Sequence, residues 1–193
     1  MDDVSQFLQY LFPVEVSHFG VIVLTLASFL GSFITASLGV GGGAFLIIVM
    51  AEFISPIVLI PLHGLVQLAS NGSRAWLTRI HIDRSLVASF MSGAIVASAV
   101  GLSGLKSVPQ EEISWAIALF ILYNCWGKFP EAGFSRTFKG RFMGGFITTF
   151  ATMFAGATGT LVASWLRARD MDRFYYTANF SSCMTLQQSL IHI

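Results

Sequence analysis

Charged residues divide this chain into long uncharged runs. No Asp, Glu, Lys or Arg occurs between Glu15 and Glu52, and the same holds from Phe53 to Ser73, Ser85 to Leu105, Ile113 to Gly127, Phe142 to Leu166 and Phe174 to Ile193. A helix needs ~20 apolar residues to cross ~30 Å of hydrocarbon. Five of these runs are long enough. Ile113 to Gly127 is shorter and borrows Val108 to Glu112 at the interface, with Lys128 snorkelling at its other end. The runs are too long and too continuously apolar for barrel strands, so the pattern predicts spanning helices. Gly39-Val40-Gly41-Gly42-Gly43 interrupts the first run, and Pro56 and Pro61 follow it. Successive glycines break a helix. The expected elements are a helix over 19–38, a break at 39–43, a short helix over 44–53 and another over 57–73.

Composition agrees with a membrane protein. Apolar residues make up 54% of the 193, charged residues only 11%, and mean hydropathy is +0.72. Soluble domains carry roughly 25% charged residues, so the composition excludes a soluble enzyme, a disordered chain and a collagen-like chain. Net charge is +1 with no basic run, which excludes a nucleic-acid binder. Cys125 and Cys183 form neither a metal-spacing motif nor a disulfide framework. Met1 to Ser17 has Asp2, Asp3 and Glu15 but no basic residue, unlike a secretory signal. The excess of Lys and Arg orients membrane loops toward the cytoplasm. Arg74, Arg79 and Arg84 sit in one loop and Lys128, Arg136, Lys139 and Arg141 in another, two crossings apart. Both are expected in the cytoplasm, and the loop of Arg167, Arg169 and Arg173 outside. A re-entrant hairpin at a glycine break would change that count. Trp76, Trp115, Trp126 and Trp165 lie near the segment boundaries, where an aromatic belt is expected.

The chain also resembles itself. Gly31-Ser-Phe-Ile-Thr-Ala precedes the first glycine break, and Gly144-Gly-Phe-Ile-Thr-Thr precedes a second, Gly156-Ala-Thr-Gly159-Thr160. Each break is followed by a short apolar piece. An amide-bearing stretch comes next, Pro61 to Asn71 in one half and Thr177 to Gln188 in the other. The expected architecture is therefore an all-α polytopic bundle of two related repeats. It comprises an N-terminal tail at 1–18, a first repeat of about four helices at 19–127, a cytoplasmic loop at 128–141 and the start of a second repeat at 142–193. A complete second copy would need about two more helices, so the chain is expected to be C-terminally incomplete.

Repeat-built transporters bring broken helices together near the midplane, where helix N-termini point partial positive charge at anionic groups. Gly41, Gly42 and Gly43 open one such half-helix, and Thr158, Gly159 and Thr160 a second. The threonine hydroxyls can donate to an oxyanion. His63, Gln67 and Asn71 recur at i, i+4 and i+8 and form one polar stripe, which lipid does not tolerate. That stripe serves either a ligand or helix–helix hydrogen bonding. Asn179 and Gln187 share a face in the second half, with interhelical bonding favoured for Gln187. Glu52 is expected at the interface rather than buried.

Gly31 to Val49, containing Leu38-Gly-Val-Gly-Gly-Gly, then Pro61 and Asn71-x-x-Arg74, resembles the TauE/SafE family of sulfite and organosulfonate exporters. Met171-Asp-Arg-Phe and Thr177-Ala-Asn are similar to that family's second copy. Ala-Gly-Ala-Thr-Gly-Thr stands where a fuller glycine motif is common, and the family's last helices are absent. The resemblance implies an inner-membrane, multi-pass exporter of a small anion such as sulfite or an organosulfonate, working by alternating access. It implies no cofactor, partners limited to the anion and lipid, and compatibility with a homo-oligomer. The alternative is an accessory subunit or membrane-embedded enzyme. The segments contain no HExxH and no Ser–His set, so an enzyme is not expected.

Overall fold

The computed structural model describes residues 16–105, 109–126, 137–156, 159–167 and 172–191, and every regular element among them is helical. In chain order these are α1 (His18–Leu38), α2 (Gly42–Ala51), α3 (Pro56–Leu77), a 3-10 turn (Arg79–His81), α4 (Arg84–Leu105), α5 (Gln110–Trp126), α6 (Phe138–Ala155), α7 (Gly159–Arg167) and α8 (Arg173–Ile191). The first four boundaries fall within a few residues of those the polarity pattern predicts.

Local chemistry sets the ends. The Ser17 hydroxyl accepts from the Gly20 N–H at 3.1 Å and caps α1. Gly39 closes the helix in the left-handed region at φ 83°, its N–H bonding to the Thr35 carbonyl at 2.9 Å. Gly41, at φ 104°, then starts α2. Pro56 opens α3, where its missing N–H costs nothing. α6 repeats the pattern of α1. The Thr137 hydroxyl caps it, and Gly156 ends it at φ 74° with its N–H on the Thr152 carbonyl at 2.8 Å. The order long helix, left-handed glycine, short helix, long helix thus occurs twice.

Both turns fold the chain back on itself. Gly42 lies on the Gly31 carbonyl, and Gly20 faces the Phe53 ring, so α2 returns antiparallel along α1. Trp165 of α7 packs on Gly144 of α6. α4 and α6 run parallel in close backbone contact. Arg141 donates to Ser85 at 3.1 Å, Gly145 meets the Phe90 carbonyl, Gly93 meets the Phe142 carbonyl, and Gly101 meets Met153. Small residues permit this approach between membrane helices. α3 and α8 are antiparallel, with Gly72 facing Thr185 and Asn179 facing His81 beyond the helix end. One apolar core joins α4, α7 and α8 around Phe90, Trp165 and Cys183, and another joins α1, α2 and α3 around Ala27, Ile47 and Leu59.

Two expectations change here. The segment entering α8 lies at the same end of the bundle as the α3–α4 link, not at the opposite end. The His81 and Phe174 rings stack at 5.6 Å, and the Tyr175 hydroxyl donates to Asp83 at 2.7 Å. The cause is the α6–α7 hairpin, which returns the chain to the end from which it came. Trp165 is also no belt residue: it is 5% exposed and packs against Phe90. Trp76, Trp115 and Trp126 do point outward.

Among the described residues, two helices are long and apolar enough to cross a membrane on that criterion alone, His18–Leu38 and Arg84–Leu102. α3, α6 and α8 bury polar residues such as His63, Thr149 and Asn179, which lower their hydropathy, and α5 has only 17 residues. α1 turns Phe19, Phe29 and Phe33 outward, all more than half exposed. Apolar surface on that scale suits lipid rather than water.

Candidate functional site

The two glycine turns converge on one small cavity. Its walls include Thr35, Gly41, Gly43 and Ala44 from the first hairpin and Gly159 and Thr160 at the start of α7. α3 adds His63, Gln67 and Asn71, and α8 adds Phe180, Met184 and Gln188. Among the described residues, no Asp, Glu, Lys or Arg lines it. The enclosed space is about 20 Å³, room for a water-sized group. The first-turn N–H groups of a helix have no partner within it, so the starts of α2 and α7 give the cavity a positive potential without a charged side chain.

The spacing that pairs Gly39 with Gly156 and Gly42 with Gly159 also pairs Gly43 with Thr160, His63 with Phe180, Gln67 with Met184 and Asn71 with Gln188. All eight of those wall positions line the cavity. α3 supplies three polar groups, where α8 supplies two apolar side chains and one amide.

His63 ties the two turns together. It is 1% exposed, with Nδ1 3.0 Å from the Gly156 carbonyl and Nε2 3.0 Å from the Gly43 carbonyl. The Gln67 amide nitrogen is 3.3 Å from Nε2. A neutral imidazole has a single N–H, so it donates to one carbonyl, and its other nitrogen can only accept. One residue of α3 therefore contacts both breaks. Asn71 is held from the other side, its Oδ1 accepting from Arg74 Nη2 at 2.8 Å. Arg74 also donates to the Ser70 carbonyl at 3.2 Å, so this guanidinium is spent inside α3.

The three successive glycines separate by role. Gly41 and Gly43 line the cavity, whereas Gly42 lies against the Gly31 carbonyl and Thr35, where a Cβ has no room. A Cβ on Gly43 would meet the end of the Gln67 side chain. Gly159 and Thr160 are at the site, and Thr158 lies outside the described residues. Asn179 is not among the cavity residues. It accepts from the Asp83 N–H at 2.8 Å and donates to the Tyr175 carbonyl at 2.8 Å, clamping the α3–α4 link to α8. Gln187 bonds Thr148 and Thr152 of α6 and joins helices, the role favoured for it above. Glu52 is exposed at the end of α2.

Asp83 holds that same clamp at the surface. Partial burial opposes its charge. The Tyr175 hydroxyl, the Leu86 N–H and the nearby Arg141 outweigh that and keep its carboxyl below the usual range.

Gln188 is a polar wall residue that sequence reasoning missed. It is 1% exposed and lines the cavity, and among the described residues neither of its amide atoms has a hydrogen-bond partner. The amide-bearing stretch ending at Gln188 pointed to the right helix. Two adjacent glutamines face different directions, however, and only the packing tells which one meets the cavity.

A family model described as Sulfite exporter TauE/SafE matches residues 24–191. No curated protein and no solved structure gives a significant match. The matched span takes in both glycine turns, the polar stripe of α3 and every cavity-lining residue, and the chain belongs to the TauE/SafE sulfite exporter family.

Proposed function

We propose that the protein exports a small sulfur oxyanion, sulfite or an organosulfonate, by alternating access around the cavity where the two hairpins meet. Membership of the family implies an integral membrane transporter of sulfur anions. The observation carrying the specific site is that the N-termini of α2 and α7 share one cavity with His63, Gln67 and Asn71. Helix N-termini bind oxyanions through backbone N–H groups, and repeat-built transporters use such ends for anionic substrate groups. Gly41, Gly43, Gly159 and Thr160 supply those donors in this reading, and Gln67 and Asn71 supply amides. Gly42 and Asn179 act by holding the hairpin and the α8 clamp in place.

The two hairpins descend from an internal duplication and enter from opposite sides of the inner membrane. Repeated helix order and the matched cavity positions support that reading. The end carrying the α3–α4 link, the start of α6 and the start of α8 is cytoplasmic. All three basic loops then obey the positive-inside rule. The cavity holds about a water's volume, and an oxyanion of four or more heavy atoms needs more. Access therefore requires the hairpins to part, which the His63 contacts to both turns would gate. The test is flux of labelled sulfite, sulfoacetate and taurine in proteoliposomes. Flux of at least one is expected, and its absence for all three from folded protein would overturn the assignment.

A further inference from the structure

Resting on that reading of the cavity, we propose that Gln188 selects a monoanion that still carries a hydrogen-bond donor, such as hydrogensulfite, over an oxyanion that carries none. Gln188 is 1% exposed, and both Oε1 and Nε2 lack partners among the described residues. Exchanging the amide ends leaves the same result: one unfilled donor and one unfilled acceptor on a residue of the cavity wall. Its neighbour Gln187 is bonded to Thr148 and Thr152. Its counterpart Asn71 has its carbonyl filled by Arg74. Of these three amides, Gln188 alone has both ends unfilled among the described residues.

Donors to an anion are plentiful here, since two helix N-termini open on the same space. A fully deprotonated oxyanion presents only acceptors. It would leave the Gln188 carbonyl unpaired and set that dipole against its own charge. A monoanion with one O–H accepts from the backbone N–H groups and the Gln188 NH2 and donates to the Gln188 carbonyl. Sites built to pair with a substrate hydroxyl reject analogues lacking it, because a buried polar group is otherwise stranded.

Methanesulfonate and hydroxymethanesulfonate test this directly. They carry the same charge and differ by one hydroxyl. The full chain in proteoliposomes is expected to move hydroxymethanesulfonate about tenfold faster or more. Gln188→Met, which keeps volume and removes both polar atoms, should bring the ratio near one, and Gln188→Glu should suppress both fluxes. A ratio near one in the unaltered protein, or a ratio unchanged in Gln188→Met, overturns the inference while leaving a working transporter. Loss of flux for every sulfur anion would instead strike the transport reading. Ligand-induced thermal stabilisation in detergent then decides the role of Gln188: hydroxymethanesulfonate should stabilise the protein more than methanesulfonate does, equal stabilisation would refute the selection, and the Gln188→Asn variant guards against misfolding of Gln188→Met.

Discussion

Single residues at this site do separable jobs, and substitutions should reveal them. Gly43→Ala places a methyl on the flexible end of Gln67 rather than on backbone. Flux should fall at least tenfold, while the unfolding midpoint in detergent moves by no more than a few degrees. A large stability loss would show that Gly43 serves packing instead. His63→Ala removes the imidazole N–H that serves one of the two turn carbonyls. An unpaired buried acceptor costs about 1–3 kcal/mol, so thermal unfolding should shift clearly downward. An unchanged midpoint would contradict the bridge. The polar stripe was readable because three polar residues at helical spacing stand out in an apolar run. The roles of Gly42 and Gly43 were not, since one position of helical rotation turns a Cβ from Gln67 to the Gly31 carbonyl.

Elements were legible where composition changes abruptly. The break after Leu38 follows from glycine's access to positive φ, and the same residue type ends α6. Whether a break kinks a helix or reverses it was not written locally, because the hairpin depends on which backbone surfaces can touch. That decision set the start of α8 at the other end of the bundle and drew Trp165 into the core. The α4–α6 contact likewise rests on glycines at which the two backbones meet. Gly145→Leu would drive a side chain into the Phe90 carbonyl. The expected result is loss of folded protein, read by size-exclusion chromatography in detergent, whereas a monodisperse, stable variant would refute the close packing. The Asp83 clamp has a pH signature. Its carboxyl is held below the usual range, so its contribution is complete above the ordinary carboxylate pKa and is lost as pH falls through the depressed value. Unfolding midpoints should stay level into mild acid and drop below it, and Asp83→Asn should remove that acid-limited share. An identical pH profile for the variant would contradict the assignment.

At the scale of the whole molecule, the account makes two hairpins and two long helices into one anion site. The apolar excess declared the membrane, and the recurring strings are the basis for proposing that the halves are related. Sidedness required knowing that α6 and α7 double back. Single cysteines replacing Ile80 and Arg173, in a background lacking Cys125 and Cys183, should label from the same side of the membrane. Labelling from opposite sides would undo the hairpin topology. The most direct test of the central claim is sulfite efflux from proteoliposomes with one substitution in each break, Gly43→Leu or Thr160→Leu. The account predicts that either change alone abolishes efflux, because the cavity needs both helix starts. Efflux that survives one of them in folded protein would mean that the two breaks do not share a site.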